Sequence, residues 1–152
     1  MDYMKLAVEA TIKGIDKKFG GPFGSVIVRN NEVIAAVSNT ITRDTDISAH
    51  AEMVAIREAS KKLNTMDLSD CEIYATCEPC PMCMGAIIWS GIKKVYYHST
   101  NEEAAKYGFS DKHLRSYFNG EDDSIVQMTK VDKREDCDHL WEYYEKTLNE
   151  NK

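Results

Sequence analysis

The chain has 152 residues, 43% hydrophobic and 29% charged, a composition typical of an ordinary soluble globular protein. Its net charge of −6 argues against a protein whose main partner is a nucleic-acid backbone, because that contact depends on clustered Lys and Arg. No apolar run approaches the ~20 residues of a membrane helix. With no repeat or linker in the sequence, we expect one domain spanning residues 1–152.

The cysteines and the first residues indicate a reducing compartment. Five cysteines spread over this length do not resemble the disulfide framework of a small secreted domain. The start, MDYMKLAVEATIKG, carries acids and lysines throughout and is unlike a signal peptide. We therefore expect a cytoplasmic protein without membrane contact whose partner is a small molecule, with nucleic acid as the less favoured alternative.

The first half of the chain predicts a helix, a hairpin and a second helix. Residues 2–18 carry apolar side chains at mostly helical spacing and end at the Gly-Gly pair at 20–21. Two β-branched runs, SVIVRN and EVIAAVSN, meet at the Asn pair at 30–31, and Asn tolerates the positive φ of a tight turn. A helix with an apolar stripe follows over about 49–63.

The second half alternates strands and helices. The predicted elements are a strand EIYATC at 72–77, a helix from Pro79 or Cys80 to Gly91, a strand KKVYYHS at 93–99, short helical pieces over 101–118, a strand SIVQMTKV at 124–131 and an amphipathic helix at 137–149. The order α-β-β-α-β-α-β-α-β-α predicts an α/β fold with a mixed sheet covered by helices on both faces. The crossovers favour parallel pairing between the later strands.

The stretch TCEPCPMCMG, residues 76–85, places Cys80 and Cys83 at a spacing that lets both sulfurs bind one metal ion. Both lie in the first turn of a predicted helix, where Pro81 suits an early position and residues three apart share a face. His50 lies at the start of another predicted helix, and two facing helix N-termini would favour thiolates and metal binding. Three protein ligands and an open fourth position are typical of a catalytic zinc site.

Glu52 is the candidate acid–base group of this site. A carboxylate beside the metal can take a proton from water without being a ligand. In mid-helix it would point away from His50, so the two converge only if His50 lies at the frayed first turn. Two alternatives remain: the cysteines are a redox pair or packed thiols, or the protein is a zinc-stabilised binding module, which would need no Glu52 and would fill the fourth position itself.

The combination of HAE at 50–52 with EPCPMC at 78–83 resembles the cytidine deaminase-like superfamily of zinc-dependent nucleobase deaminases. The resemblance extends from PFGSVIV at 22–28 through SNT at 38–40 and past GAIIWSGIKKVYY at 85–97. It implies a three-layer α/β/α sandwich with a mixed central sheet, a bound Zn²⁺ and, in most members, a homodimer.

Within this superfamily, EEAAKYGFSD at 102–111 is most similar to the bacterial guanine deaminases. The resemblance implies hydrolytic deamination of guanine to xanthine and ammonia, with Glu52 as the catalytic residue. It also implies the substrate-binding residues Asn39, Asp111, Phe23, Trp89 and Ala51.

The pocket residues and the substrate both have alternatives. Phe23 and Trp89 could be core residues, Asn39 could end a strand as a turn residue, and Asp111 could cap the helix that starts DKHL. Adenosine in tRNA is an alternative substrate, because such a deaminase shares every catalytic residue, and cytosine or a triazine is another.

Overall fold

The computed structural model describes residues 1–150, and its helices and strands follow most of the predicted order. They are α1 (Tyr3–Asp16), β1 (Gly24–Arg29), β2 (Glu32–Ser38), α2 (Ile41–Asp44), α3 (Ala51–Leu63), β3 (Cys71–Cys77), α4 (Pro81–Ser90), β4 (Val95–Ser99), α5 (Asn101–Ala105), α6 (Lys112–Phe118) and α7 (Glu135–Glu150). None of the described helices is both long and apolar enough to cross a bilayer.

The four strands form one mixed sheet in the order β2-β1-β3-β4. β1 and β2 make an antiparallel hairpin, and Asn30 and Asn31 adopt the positive φ values, 51° and 65°, that its turn requires. β3 pairs antiparallel with β1 and parallel with β4, so the predicted parallel pairing is confirmed. The short helix α2 was not predicted.

Helices cover both faces of the sheet. Successive side chains of a strand point to opposite faces, and Val26 and Val28 of β1 pack with Ala7 of α1 on one of them. Ile27, between the two valines, joins the larger cluster on the other face, against α3 and α4. That cluster contains Ile27, Ile34, Ala35, Ala55, Ala59, Leu68, Cys71, Ile73, Ile87 and Ile92. The α/β fold with a mixed sheet between helices is confirmed.

The predicted fifth strand at 124–131 is wrong, because the structure has no regular element there. Its large apolar side chains, including Val126 and Val131, are exposed. β-branched residues show only that a segment is suited to a pleated surface. To form a strand, the segment also needs the edge of another strand to pair with. This segment belongs to a second compact unit that begins at Asp123, after the first unit of Met1–Asp122. A single domain over 1–152 stays a prediction.

Replacing Ser25 by Ala is expected to raise the free energy of unfolding by about 1 kcal/mol. Ser25 of β1 is 0% exposed, and its hydroxyl is the buried side-chain oxygen without a hydrogen-bond partner among the described residues. Chemical denaturation measures the change. Ser90→Ala is the matched control, because the buried Ser90 hydroxyl donates to Ile87 O at 2.8 Å and its loss should not stabilise the fold. Equal destabilisation in both variants would contradict this account.

Candidate metal centre

Two helix N-termini carry the three candidate ligands. His50 is the N-cap residue of α3 and Cys80 is the N-cap residue of α4, and both have extended backbone and no side-chain capping hydrogen bond. Pro81 begins α4, as expected for a residue without an N–H group at the first helical position. Because neither N-cap side chain folds back on its own helix, both can turn toward Cys83 in the first turn of α4.

The ligand atoms of His50, Cys80 and Cys83 all lie within 4.8 Å of one another. The Nδ1 atom of His50 is 3.6 Å from Cys80 Sγ and 3.5 Å from Cys83 Sγ. Two thiolates and an imidazole are the donors that zinc prefers, so the residues present fit a zinc ion. The cluster holds three ligands among the described residues, as in zinc sites that keep one position open for chemistry.

The charges at the cluster are strongly coupled. The hydrogen bond with Cys83 is the largest of the causes that lower the pKa of Cys80 to about 4, and the hydrogen bond with His50 acts in the same direction. The pKa of Cys83 is raised, first by its hydrogen bond with Cys80 and then by burial. The pKa of His50 is raised, mainly by its hydrogen bond with Cys80. The three side chains share protons in this structure. A divalent cation can take the place of those protons, because its ligands bind in their deprotonated forms.

Glu52 lies beside the cluster without belonging to it. It is the second residue of α3, is buried, and contacts Cys83 through its side chain. Burial is the largest cause that raises the pKa of its carboxyl. His50 and Glu52 lie on the same side because His50 has extended backbone at the end of the helix. The sequence analysis named a position in the first turn as the condition for this convergence.

A cavity of about 430 Å³ opens over the cluster. Within the pocket, Phe23 of the segment before β1 and Phe109 meet edge to face, with ring centroids 5.0 Å apart. Six of the residues predicted for the site besides the two cysteines line this pocket, together with Cys80. These six are His50, Glu52, Phe23, Ala51, Asn39 and Asp111.

Asn39 follows β2 and is buried, with its amide bound to the pocket wall. Its Oδ1 accepts from Gly21 N at 3.2 Å, and its Nδ2 donates to Gly21 O at 2.7 Å. Asn39 therefore fixes the segment that carries Phe23. An amide oxygen has two lone pairs, so the bond to Gly21 N uses one of the two acceptor sites of Oδ1.

Asp111 also lines the pocket, directly before α6. Its side chain makes no capping hydrogen bond to that helix. Arg115 instead donates to Asp111 Oδ2 from Nε at 3.0 Å. The structure therefore does not show the capping alternative, and Asp111 is a lining residue of the pocket.

Trp89 lies outside the pocket, in contrast to the sequence prediction. Cys83, Ile87 and Ser90 form the buried face of α4, at positions four and seven residues from the first. Trp89 is two positions beyond Ile87, which turns it to nearly the opposite side of the helix. Its side chain is 92% exposed, so it is neither a pocket wall nor a core residue of this unit.

Several pocket residues were missed by the sequence interpretation. They include Phe109, Ile41, Ile47, Leu114 and Glu78. Phe109 could have been found, because it is an aromatic residue within the same segment, 102–111, that contains Asp111. The two isoleucines lie in and after the short helix α2, which no periodicity in the sequence indicates.

The first 99 residues match the family model of the cytidine and deoxycytidylate deaminase zinc-binding region. Over 112 residues, the chain is 45% identical to guanine deaminase of Bacillus subtilis, and the match covers 74% of this chain and 72% of that relative. It is also 38% identical over 101 residues to the tRNA-specific adenosine deaminase of Aquifex aeolicus, with 66% of each chain covered.

The fold is similar to a crystal structure of guanine deaminase from Bacillus subtilis. The TM-score is 0.88 at 36% sequence identity, and the match covers 95% of both chains. The similarity to that structure therefore includes most of the chain beyond the zinc-binding region.

Proposed function

The chain belongs to the cytidine and deoxycytidylate deaminase family, and on this basis we propose that it hydrolyses guanine to xanthine and ammonia. The observation that carries the proposal is the position of one buried carboxylate, Glu52, beside a His-Cys-Cys zinc set at the floor of a base-sized pocket. The relative of 45% identity and the fold match over 95% of the chain both favour guanine as the base.

The zinc set and Glu52 divide the chemistry between them. When bound by His50, Cys80 and Cys83, zinc supplies a Lewis acid that makes water a nucleophile near neutral pH. Water adds to C2 of guanine, and the bond from C2 to the exocyclic nitrogen breaks. The products are xanthine and ammonia, so atoms balance with one water consumed.

Glu52 moves the protons of this reaction. It takes a proton from the attacking water, gives it to the ring nitrogen next to C2, and then assists the departure of ammonia. Burial raises the pKa of Glu52, so its carboxylate binds a proton more readily than an exposed one would. A shuttle needs this property, because the same group accepts and releases a proton in each turnover.

Asp111 and Asn39 are proposed to recognise the base. Guanine presents several N–H donors along one edge, and an ionised carboxylate offers only acceptors. Asp111 Oδ1 has no hydrogen-bond partner among residues 1–150, and Asp111 lines the pocket. Asn39 offers a further acceptor at the pocket wall, and Phe23 with Phe109 provides an apolar surface for the ring.

Deamination of adenosine in tRNA is the second candidate, since the Aquifex aeolicus relative is a tRNA-specific adenosine deaminase. The net charge of −6 disfavours it, because tRNA binding draws on clustered Lys and Arg. No Lys or Arg is among the described residues that line the pocket.

Ammonia release from a panel of substrates tests the proposal. The panel is guanine, adenine, cytosine, a triazine and a tRNA anticodon stem, each with the zinc-loaded protein. We expect release from guanine at least about 100-fold faster than from the others, because a site built to hydrogen-bond one edge rejects bases that lack it. Release from the anticodon stem or from cytosine, with guanine ignored, would contradict the guanine assignment and leave deamination.

We further propose a homodimer in the cytoplasm. Ile88 and Trp89 are exposed side by side on α4, and contiguous apolar surface of this kind is typical of protein interfaces. All five cysteines are free, as expected in a reducing compartment. Sedimentation equilibrium at twice the mass of the chain would support the dimer, and Trp89→Ser should weaken it.

A further inference from the structure

Three carboxylate residues line the pocket, and one arginine outside the lining contacts two of them. Glu52, Glu78 and Asp111 all line the cavity, whereas none of its described lining residues is Lys or Arg. Arg115 of α6 contacts both Glu78 and Asp111 and is itself only 30% exposed. Its contacts connect the predicted base-recognition residue to the segment that carries a metal ligand.

The contacts of Arg115 converge from two directions. Its Nε and Nη2 both lie 3.0 Å from Asp111 Oδ2. Nη2 also donates to the carbonyl oxygen of Pro79, the residue before Cys80, at 3.2 Å, and lies 3.6 Å from Glu78 Oε2. We call Arg115 and its acceptors Asp111, Glu78 and Pro79 the Arg115 clamp.

We propose that Arg115 is a positioning residue for base recognition: it holds the Asp111 carboxylate by Oδ2 and so directs Oδ1 toward the substrate. Oδ2 is occupied by the guanidinium, and Oδ1 has no partner among the described residues. Two nitrogens of one planar guanidinium bind this single oxygen, so Oδ2 is held in place more firmly than by a flexible ammonium group.

The Arg115 clamp also connects the segment that carries Asp111 to the residues just before Cys80. Glu78 Oε1 accepts from Asn101 N at 3.1 Å, at the start of α5, while its other oxygen faces Arg115. The Asp111 side chain is 18% exposed, so this ion pair is less screened than one at the surface. An arginine is charged at physiological pH, and the hydrogen bond with Asp111 raises the pKa of Arg115 further. The geometry of Asp111 is thus tied to the backbone next to Cys80.

The inference rests on the proposed function, and its kinetic test is a double-mutant cycle. Arg115→Gln is expected to raise the KM for guanine about 10-fold with a smaller change in kcat and with zinc retained, because it weakens binding of the base rather than proton transfer. In an Asp111→Asn background the same change should add less than about 2-fold, since Arg115 acts through that carboxylate. Arg115→Lys should lie between wild type and Arg115→Gln.

Arg29→Gln is the matched control. Arg29 at the end of β1 is 35% exposed and pairs with Asp70 at 3.9 Å, outside the pocket. Its kinetic constants should stay within about 2-fold of wild type. Multiplicative effects of Arg115→Gln and Asp111→Asn, or an Arg115→Gln enzyme with an unchanged KM, would overturn the positioning role.

Amide hydrogen exchange of the zinc-loaded protein without substrate separates this inference from the proposed function. The amides of Gly108 and Phe109 are bonded within their segment to Ala105 O and Ala104 O, each at 3.1 Å. Arg115→Gln should speed their exchange about 10-fold relative to Arg29→Gln, because the clamp no longer restrains local opening. If guanine is not a substrate, the proposed function fails while this measurement still decides the clamp, and unchanged exchange would overturn it.

Discussion

Replacing Glu52 by Gln is expected to lower turnover of guanine by about 10²–10⁴-fold while zinc stays bound. Gln keeps the shape of the side chain and one oxygen, but it cannot accept and release a proton. Glu52 is not among the three residues whose ligand atoms converge, so the zinc set itself is intact in this variant. The measurement is kcat for ammonia release together with the zinc content of the same sample.

Glu72→Gln is the control, because it makes the same chemical change at a position outside the pocket. Glu72 of β3 pairs with Lys94 at 3.6 Å and does not line the pocket. Its kcat should equal that of wild type. A Glu52→Gln enzyme that keeps wild-type turnover would exclude Glu52 as the acid–base group of the reaction.

The candidate metal ligands could be predicted to lie together because their geometry is local. A Pro after Cys80 starts α4, and the three-residue spacing then places Cys83 in the same turn. His50 required one further condition, an extended backbone at the start of α3, and its φ of −61° and ψ of 156° meet it. Helix ends can be recognised from short motifs, so residues that lie on them can be placed before any tertiary contact is known.

Residues whose position depends on tertiary contacts were placed less well. Trp89 lies on a helix that is apolar on most sides, so the sequence does not show which face is buried. The segment at 124–131 has the composition of a strand, but pairing is a property of two segments. Arg115 contacts Pro79 across 36 positions of sequence, and nothing local distinguishes it from an ordinary surface arginine on a short helix.

Replacing His50 or Cys83 by Ala is expected to lower the affinity for zinc at least about 100-fold, because even residues that only support a ligand contribute 10–100-fold. Both side chains converge on Cys80, and either change leaves two ligands. We expect about one zinc per wild-type chain by elemental analysis, strong depletion in both variants, and no measurable deamination. Full zinc occupancy in both would exclude this ligand set.

Cys71→Ala is the matched control for Cys83→Ala, since both remove a buried thiol. Cys71 begins β3 and belongs to the main core cluster, and burial is the largest cause that raises its pKa to about 11, so it stays protonated at neutral pH. Its variant should keep its zinc. A bound metal stabilises the fold by mass action, by about 2.7 kcal/mol at 100 times the Kd. Chelation should therefore lower the Tm of wild type and of Cys71→Ala but leave His50→Ala and Cys83→Ala unchanged, because these two have little metal to lose.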